Sequence, residues 1–127
     1  MKKIIISIIS IIVIIGGIVF FIYMKNVGDY KKKIKNIVIN EPDLSTISDG
    51  KYTGECDCNL IHAKVEVEIE NHKYKDIKLL KHENGKGSKA SSITQKVLDS
   101  QSLKVDTVSG ATNSSKVILK AISNALE

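Results

Sequence analysis

Hydrophobic and polar positions change period twice along this chain, and each period predicts a different element. From Ile4 to Met24 the sequence IIISIISIIVIIGGIVFFIYM runs 21 residues without a charge. At 1.5 Å per residue a helix of that length spans about 31 Å, enough to cross the hydrocarbon core of a bilayer. Residues 63–70, AKVEVEIE, alternate strictly, with Ala63, Val65, Val67 and Ile69 on one side and Lys64, Glu66, Glu68 and Glu70 on the other. That is the period of a half-buried strand. Asn71, His72 and Lys73 predict a turn, YKDIKLLKH (74–82) a returning strand, and KYTGECDC (51–58) a strand that pairs ahead of them. The result is a three-stranded antiparallel meander.

Glycines 85 and 87 break this pattern. Residues 88–101 then place Ala90, Ile93, Val97 and Leu98 at helical spacing, and residues 114–126 do the same with Val117, Ile118, Ala121, Ile122 and Ala125. The expected fold is therefore α+β: a small antiparallel sheet packed by two or three helices, preceded by one N-terminal transmembrane helix. Three segments follow: an anchor over 1–24, a lysine-rich polar tether over 25–48 containing the only proline, and a domain over 49–127. The chain has no tryptophan, and both phenylalanines sit in the anchor, so the core of the domain is thin. A bound cofactor would help to hold such a domain together.

Lys2 and Lys3 would also suit the start of a cleavable signal peptide. The apolar run is longer than such peptides use, and neither a small-x-small cleavage site nor a lipid-accepting cysteine follows it. A retained single-pass anchor is expected. Charge adds a conflict about its orientation. Lys25, Lys31, Lys32, Lys33 and Lys35 follow the apolar run, which by the positive-inside rule would leave the C-terminal domain in the cytoplasm. The net charge of +5 is concentrated there: residues 1–40 hold seven lysines and one aspartate, and residues 41–127 hold twelve lysines against thirteen acids. The near-neutral domain argues against nucleic acid as a partner. The lysines at 25–35 suit either anionic headgroups or a solvated linker.

Candidate chemistry is sparse. Cys56 and Cys58 are two apart, so on a strand they share a face, and His62, His72 or His82 could complete a metal site. The spacing is shorter than zinc sites use and the histidines are scattered, so two small strand residues or free thiols is the favoured reading. A disulfide at that spacing would be strained. HENGKGSKA (82–90) holds two glycines before a helix without the pattern of a P-loop, and reads as a connecting loop. In DTVSGATNSS (106–115), Gly110 permits a tight turn and Thr112 or Asn113 can cap the following helix. The first turn of that helix would suit a phosphate. No Ser-His-Asp set, paired-carboxylate motif or HExxH is present.

Taken together, DGKYTG (49–54), the alternating strand, DIKLLKHE (76–83) with its glycine-rich loop, and SGATNSS (109–115) resemble the FMN-binding domain family from about Asp49 to Glu127. That family includes the flavin subunits of sodium-translocating NADH:quinone reductases and of the related Rnf electron-transport complexes. The last motif is the most specific. In the family an [S/T]GAT sequence a few residues after an aspartate carries FMN, joined through its phosphate to the final threonine. Asp106, Ser109, Gly110, Ala111 and Thr112 fit that pattern, and Thr112 is the implied acceptor.

The resemblance further implies a magnesium-dependent flavin transferase that moves the FMN half of FAD to the Thr112 hydroxyl and releases AMP. The phosphate would then lie among backbone N–H groups of Asn113, Ser114 and Ser115. His82, Glu83 and the loop of Gly85, Lys86 and Gly87 would lie near the flavin, although Asn84-Gly85 stands where relatives often have threonine and proline. Cys56 and Cys58 sit where relatives tend to have small residues, so the resemblance implies that small size, not metal, is what they share.

The function implied is a membrane-anchored electron carrier, not an enzyme with its own substrate. Its partners would be redox proteins or a quinone-linked complex. A covalent cofactor makes most sense where no free flavin pool can replace it, which favours an extracytoplasmic domain over the lysine count. Two other readings stand beside it: a flavin-binding sensor or assembly module, and a flavin-free interaction domain on a membrane anchor.

Overall fold

A computed structural model describes residues 1–83 and 90–127, with Glu83 described by its backbone alone. Helix α1 (Lys2–Lys35) carries the apolar run and continues past it. It is long and apolar enough to cross a membrane. A short 3-10 turn (Leu44–Thr46) follows, then strands β1 (Gly50–Asp57), β2 (His62–Glu70) and β3 (Lys73–Glu83), and helices α2 (Ser92–Ser100) and α3 (Thr112–Ala125). The sheet is antiparallel in the order β1-β2-β3. The architecture is α+β, as the periodicity predicts.

The β2–β3 turn is tighter than the sequence implies. Asn71 and His72 both have positive φ, at 53° and 60°, and Lys73 already begins β3. Two left-handed residues match the right-handed twist of the flanking strands, which is why two-residue hairpins favour them. Asp49 accepts the Asn71 N–H at 2.9 Å, and the His72 Nδ1 meets the Leu44 carbonyl at 2.9 Å.

On β2 the alternation holds, with Ala63, Val65, Val67 and Ile69 all buried. On β3 it does not, because two bulges shift its register against β2. Val65 faces Leu79 while Lys64 faces Lys81, and Ile69 faces Tyr74 while Glu68 faces Asp76. An extra residue in a strand resets which side chains point inward. Tyr74, Ile77, Leu79 and His82 can therefore share the inner face despite their uneven spacing, and Leu80 is turned out to solvent.

Both α2 and α3 cover the inner face of the sheet, with Ile93 and Val97 of α2 and Val117, Ile118, Ala121 and Ile122 of α3 buried. Strand and helix approach closely at Gly54 of β1. A β-carbon there would overlap the Ala121 carbonyl oxygen and the Ala125 backbone nitrogen. Small residues on helix and strand thus let two backbones meet. At the sheet edge, Gln101 acts as a side-chain substitute for a fourth strand. Its Oε1 accepts the Tyr74 N–H at 2.8 Å and its Nε2 donates to the Tyr74 carbonyl at 2.9 Å.

The segment between α1 and β1 lies against this body. Ile34 is buried in the core, and Tyr30, Ile37, Ile39, Leu44 and Ile47 pack on it. Glu41 accepts the Leu103 N–H at 2.9 Å, and the buried Ser123 hydroxyl donates to the Asn40 carbonyl at 3.0 Å.

Candidate functional site

The stretch that precedes α3 is built around one hydroxyl. Ser115, fully buried, donates to the Ala111 carbonyl at 2.7 Å and accepts the Val108 N–H at 3.1 Å. The Ala111 N–H closes a turn onto the Val108 carbonyl at 2.9 Å. Gly110 takes φ of 78° inside that turn, a left-handed conformation in which an L side chain is strained. VSGA is therefore a tight turn stapled to the first turn of the helix behind it.

This arrangement changes the expected cap. Ala111, not Thr112 or Asn113, occupies the N-cap position, and no side chain caps the helix. Thr112 is the first helical residue and is exposed. Among the described residues its hydroxyl makes no hydrogen bond. The Ser115 N–H is taken by the Ala111 carbonyl at 2.9 Å. Helical geometry then leaves the N–H groups of Thr112, Asn113 and Ser114 without a partner four residues back. The positive end of the helix dipole lies at the same place. An exposed, unengaged hydroxyl beside free N–H donors is an arrangement that can accept a phosphoryl group and stabilise its charge.

The remaining candidates fall into four sets. Ser109 and Gly110 are exposed beside Thr112, while Ala111 is buried. Ser114 and Ser115 are buried, and Ser115 spends its hydroxyl on the turn, so it positions the site from behind. Asp106 is exposed in the preceding loop, where its carbonyl accepts from Lys96 Nζ at 3.2 Å. The side chain of Glu83, with Gly85, Lys86 and Gly87, lies outside the described residues.

His82 is described and informative. It pairs across the sheet with Ala63, which in turn pairs with Cys56. Its Nε2 is buried with no hydrogen-bond partner among the described residues, and burial pulls its pKa below the ordinary value of 6.5. The ring is therefore neutral at neutral pH. The path of α3 relates it to Thr112. Ala121 and Ala125 meet Gly54, Asn124 donates to the Glu55 carbonyl at 2.9 Å, and Lys120 shares a groove with Cys56. The helix therefore runs antiparallel to β1, and its N-terminus points to the end of the sheet where β1 stops and β3 reaches His82.

A further contact had no signal in the sequence. Asn113 Nδ2 donates to Tyr30 Oη at 2.9 Å across 83 residues of chain, tying the start of α3 to the second half of α1. Lys33 Nζ adds a second tie, to Asn59 Oδ1 at 2.8 Å.

The sequence profile of the FMN-binding domain family matches residues 61–127, from just before β2 to the end of α3. This chain belongs to the FMN-binding domain family. The matched region includes the stapled turn, Thr112 and His82; β1 and its Gly54 precede it. The family is found in flavin-carrier subunits of redox complexes. No curated protein matches the chain. The fit of an FMN phosphate can be judged from the residues themselves. Exposed Thr112 offers an oxygen, the first turn of α3 offers N–H donors, and the close turn at Gly110 keeps side chains out of the approach.

Proposed function

We propose that this protein is a membrane-anchored FMN carrier for electron transfer, with the flavin esterified through its phosphate to Thr112. The observation that carries this reading is the exposed Thr112 hydroxyl, without a hydrogen bond among the described residues, at the open first turn of α3. In the attachment step, the Thr112 oxygen forms a bond to the phosphorus of the FMN half of FAD. The bond to the AMP half breaks, AMP leaves, and the hydroxyl proton passes to the transferase or solvent. Thr112, Asn113 and Ser114 would hold the phosphate through backbone N–H groups, with Ser109, Gly110 and Ala111 forming a close-fitting wall. Asp106 would be read by the transferase or order the turn.

Bound flavin supplies the ability to take electrons singly or in pairs. The chain supplies position. Helix α1 is 34 residues long, about 51 Å at 1.5 Å per residue, so its last turns stand clear of the bilayer. Tyr30 lies six residues beyond Met24, about 9 Å along the axis, and its bond to Asn113 keeps the start of α3 near the membrane surface. Neutral His82, with an unpaired nitrogen at the same end of the sheet, can offer a hydrogen bond to the flavin without adding charge. A covalent link serves best in a compartment without free flavin, so we place the domain outside the cytoplasm. Its partners would be redox proteins or a quinone-linked complex in or on the membrane.

The test is intact mass on the full chain in detergent, incubated with a flavin transferase, FAD and magnesium. The wild type should gain the mass of FMN less one water, Thr112→Ala should gain nothing, and Thr112→Ser should recover the gain. Flavin that co-purifies but leaves on denaturation from both wild type and Thr112→Ala would replace the ester with non-covalent binding. No flavin in either form would overturn the reading.

A further inference from the structure

A groove of about 810 Å³ lies between the last turns of α1, the end of β1 and the second half of α3. Its floor holds Cys56 and Cys58, and Lys32, Lys33 and Lys120 stand along its walls. The two thiols are free, and their sulfurs are 3.8 Å apart. Cys56 is half-buried at the end of β1. Cys58 lies just past the strand, held by a bond from its N–H to the Ile61 carbonyl at 2.9 Å. Asn59 behind it takes φ of 67°, so the chain folds back at once and the pair is set in a fixed bend.

We propose that Cys56 and Cys58 form a two-thiolate site for a soft monovalent cation, cuprous copper. Metal–thiolate bonds of about 2.3 Å place two sulfurs about 3.8 Å apart at a tetrahedral angle and about 4.6 Å apart in a linear arrangement. A two-coordinate ion takes the linear arrangement, so the observed gap of 3.8 Å must widen by about 0.8 Å, through rotation of the half-buried Cys56 side chain, to admit it. A disulfide instead requires about 2.05 Å and a much larger closure.

Thiolates are soft ligands that select cuprous ion or zinc among common metals. Among the described residues no cluster of three or more histidine, cysteine or acidic side chains could hold a metal, and a two-coordinate ion needs only the pair. When the ion binds, both thiols release their protons to solvent, two metal–sulfur bonds form, and the site carries one negative charge. Lys120, on the wall beside Cys56, offsets part of that charge, against burial and the neighbouring Cys58, which push the Cys56 thiol up to about 12. Lys120 and Asn124, from the second half of α3, line the groove.

The experiment uses the full chain in detergent micelles under anaerobic, reducing conditions. Cuprous ion is supplied in competition with a chromogenic cuprous chelator. One ion per chain should be withdrawn from the chelator, and Cys56→Ser and Cys58→Ala should each weaken retention at least tenfold. Cys56→Ser, at the more exposed position, keeps the test sound if the buried Cys58→Ala unfolds, with circular dichroism reporting the fold of each. Equal retention by wild type and a folded Cys56→Ser overturns the proposal. So does a chain that binds zinc and not cuprous ion, or one whose thiols are already joined when isolated under reductant, seen as failure to react with iodoacetamide.

Discussion

The two ends of helix α3 solve opposite problems with similar small residues. At its C-terminal half, Ala121 and Ala125 press against Gly54 so closely that no further atom fits. At its N-terminus, Gly110 and Ala111 also keep side chains away, but there Thr112 and its neighbouring N–H groups face solvent. Close packing at one end fixes the direction of the helix. Openness at the other leaves its dipole and unpaired donors for a ligand. A helix that is to hold a ligand at one end is best seated rigidly at the other, with vacant space where the ligand would lie.

Substitutions at the two ends should therefore differ in kind. Gly54→Val should cost most, about 3 kcal/mol or more, because the new side chain meets backbone that cannot give way. With about 4–8 °C per kcal/mol for a domain of this size, the melting temperature should fall by about 12 °C or more. A shift under a few degrees would show that α3 can slide, and would weaken the argument that its seating fixes the site.

Ser115→Ala should follow, at about 1–3 kcal/mol, since it leaves the Val108 N–H without its partner. It should also slow flavin attachment to Thr112, whereas a purely structural role would lower the melting temperature and leave the attachment rate of the folded protein unchanged. Tyr30→Phe removes one exposed hydrogen bond and should cost about 0.5–1 kcal/mol by chemical denaturation. Its sharper readout is protease cleavage around 25–40, which should speed up if the bond holds the stalk against α3. Thr112→Ala should change stability by no more than about 0.5 kcal/mol while abolishing the mass gain. That pairing of no structural cost with total functional loss would set the open end apart from the packed end.

The smallest effect is one of pH. Burial lowers the His82 pKa in the folded state, so below its ordinary value of 6.5 the unfolded chain binds the proton more readily than the folded one. Stability should be level above that value and fall as pH drops below it, and His82→Gln should flatten this part of the profile in thermal melts. An unchanged slope would mean that other groups carry the acid sensitivity.

Elements with short-range causes were legible from the residues alone. The uncharged run of α1, the alternation of β2 and the apolar spacing of α2 and α3 each encode an element in neighbours a few positions apart. The SGAT motif likewise singles out Thr112, which is exposed at the start of α3. The inner face of β3 was less legible, because its bulges arise from pairing with β2 and not from β3 itself. The helix cap was misjudged for a similar reason. Ser and Thr are common caps, but here Ser115 reaches back to hold the turn, and Ala111 takes the cap position.

Sequence by itself determined the long apolar helix, the order of strands and helices, the family and the place of the Thr112 hydroxyl at the start of α3, since all of these rest on local period or contiguous motif. Tertiary structure decided what touches what across long separations. Tyr30 meets Asn113, Gly54 admits the backbone of α3, His82 shares the inner row of the sheet with Ala63 and Cys56, and Cys56 and Cys58 line a groove completed by α1. Such contacts depend on how elements pack in three dimensions, and no periodicity along one segment encodes its partner on another.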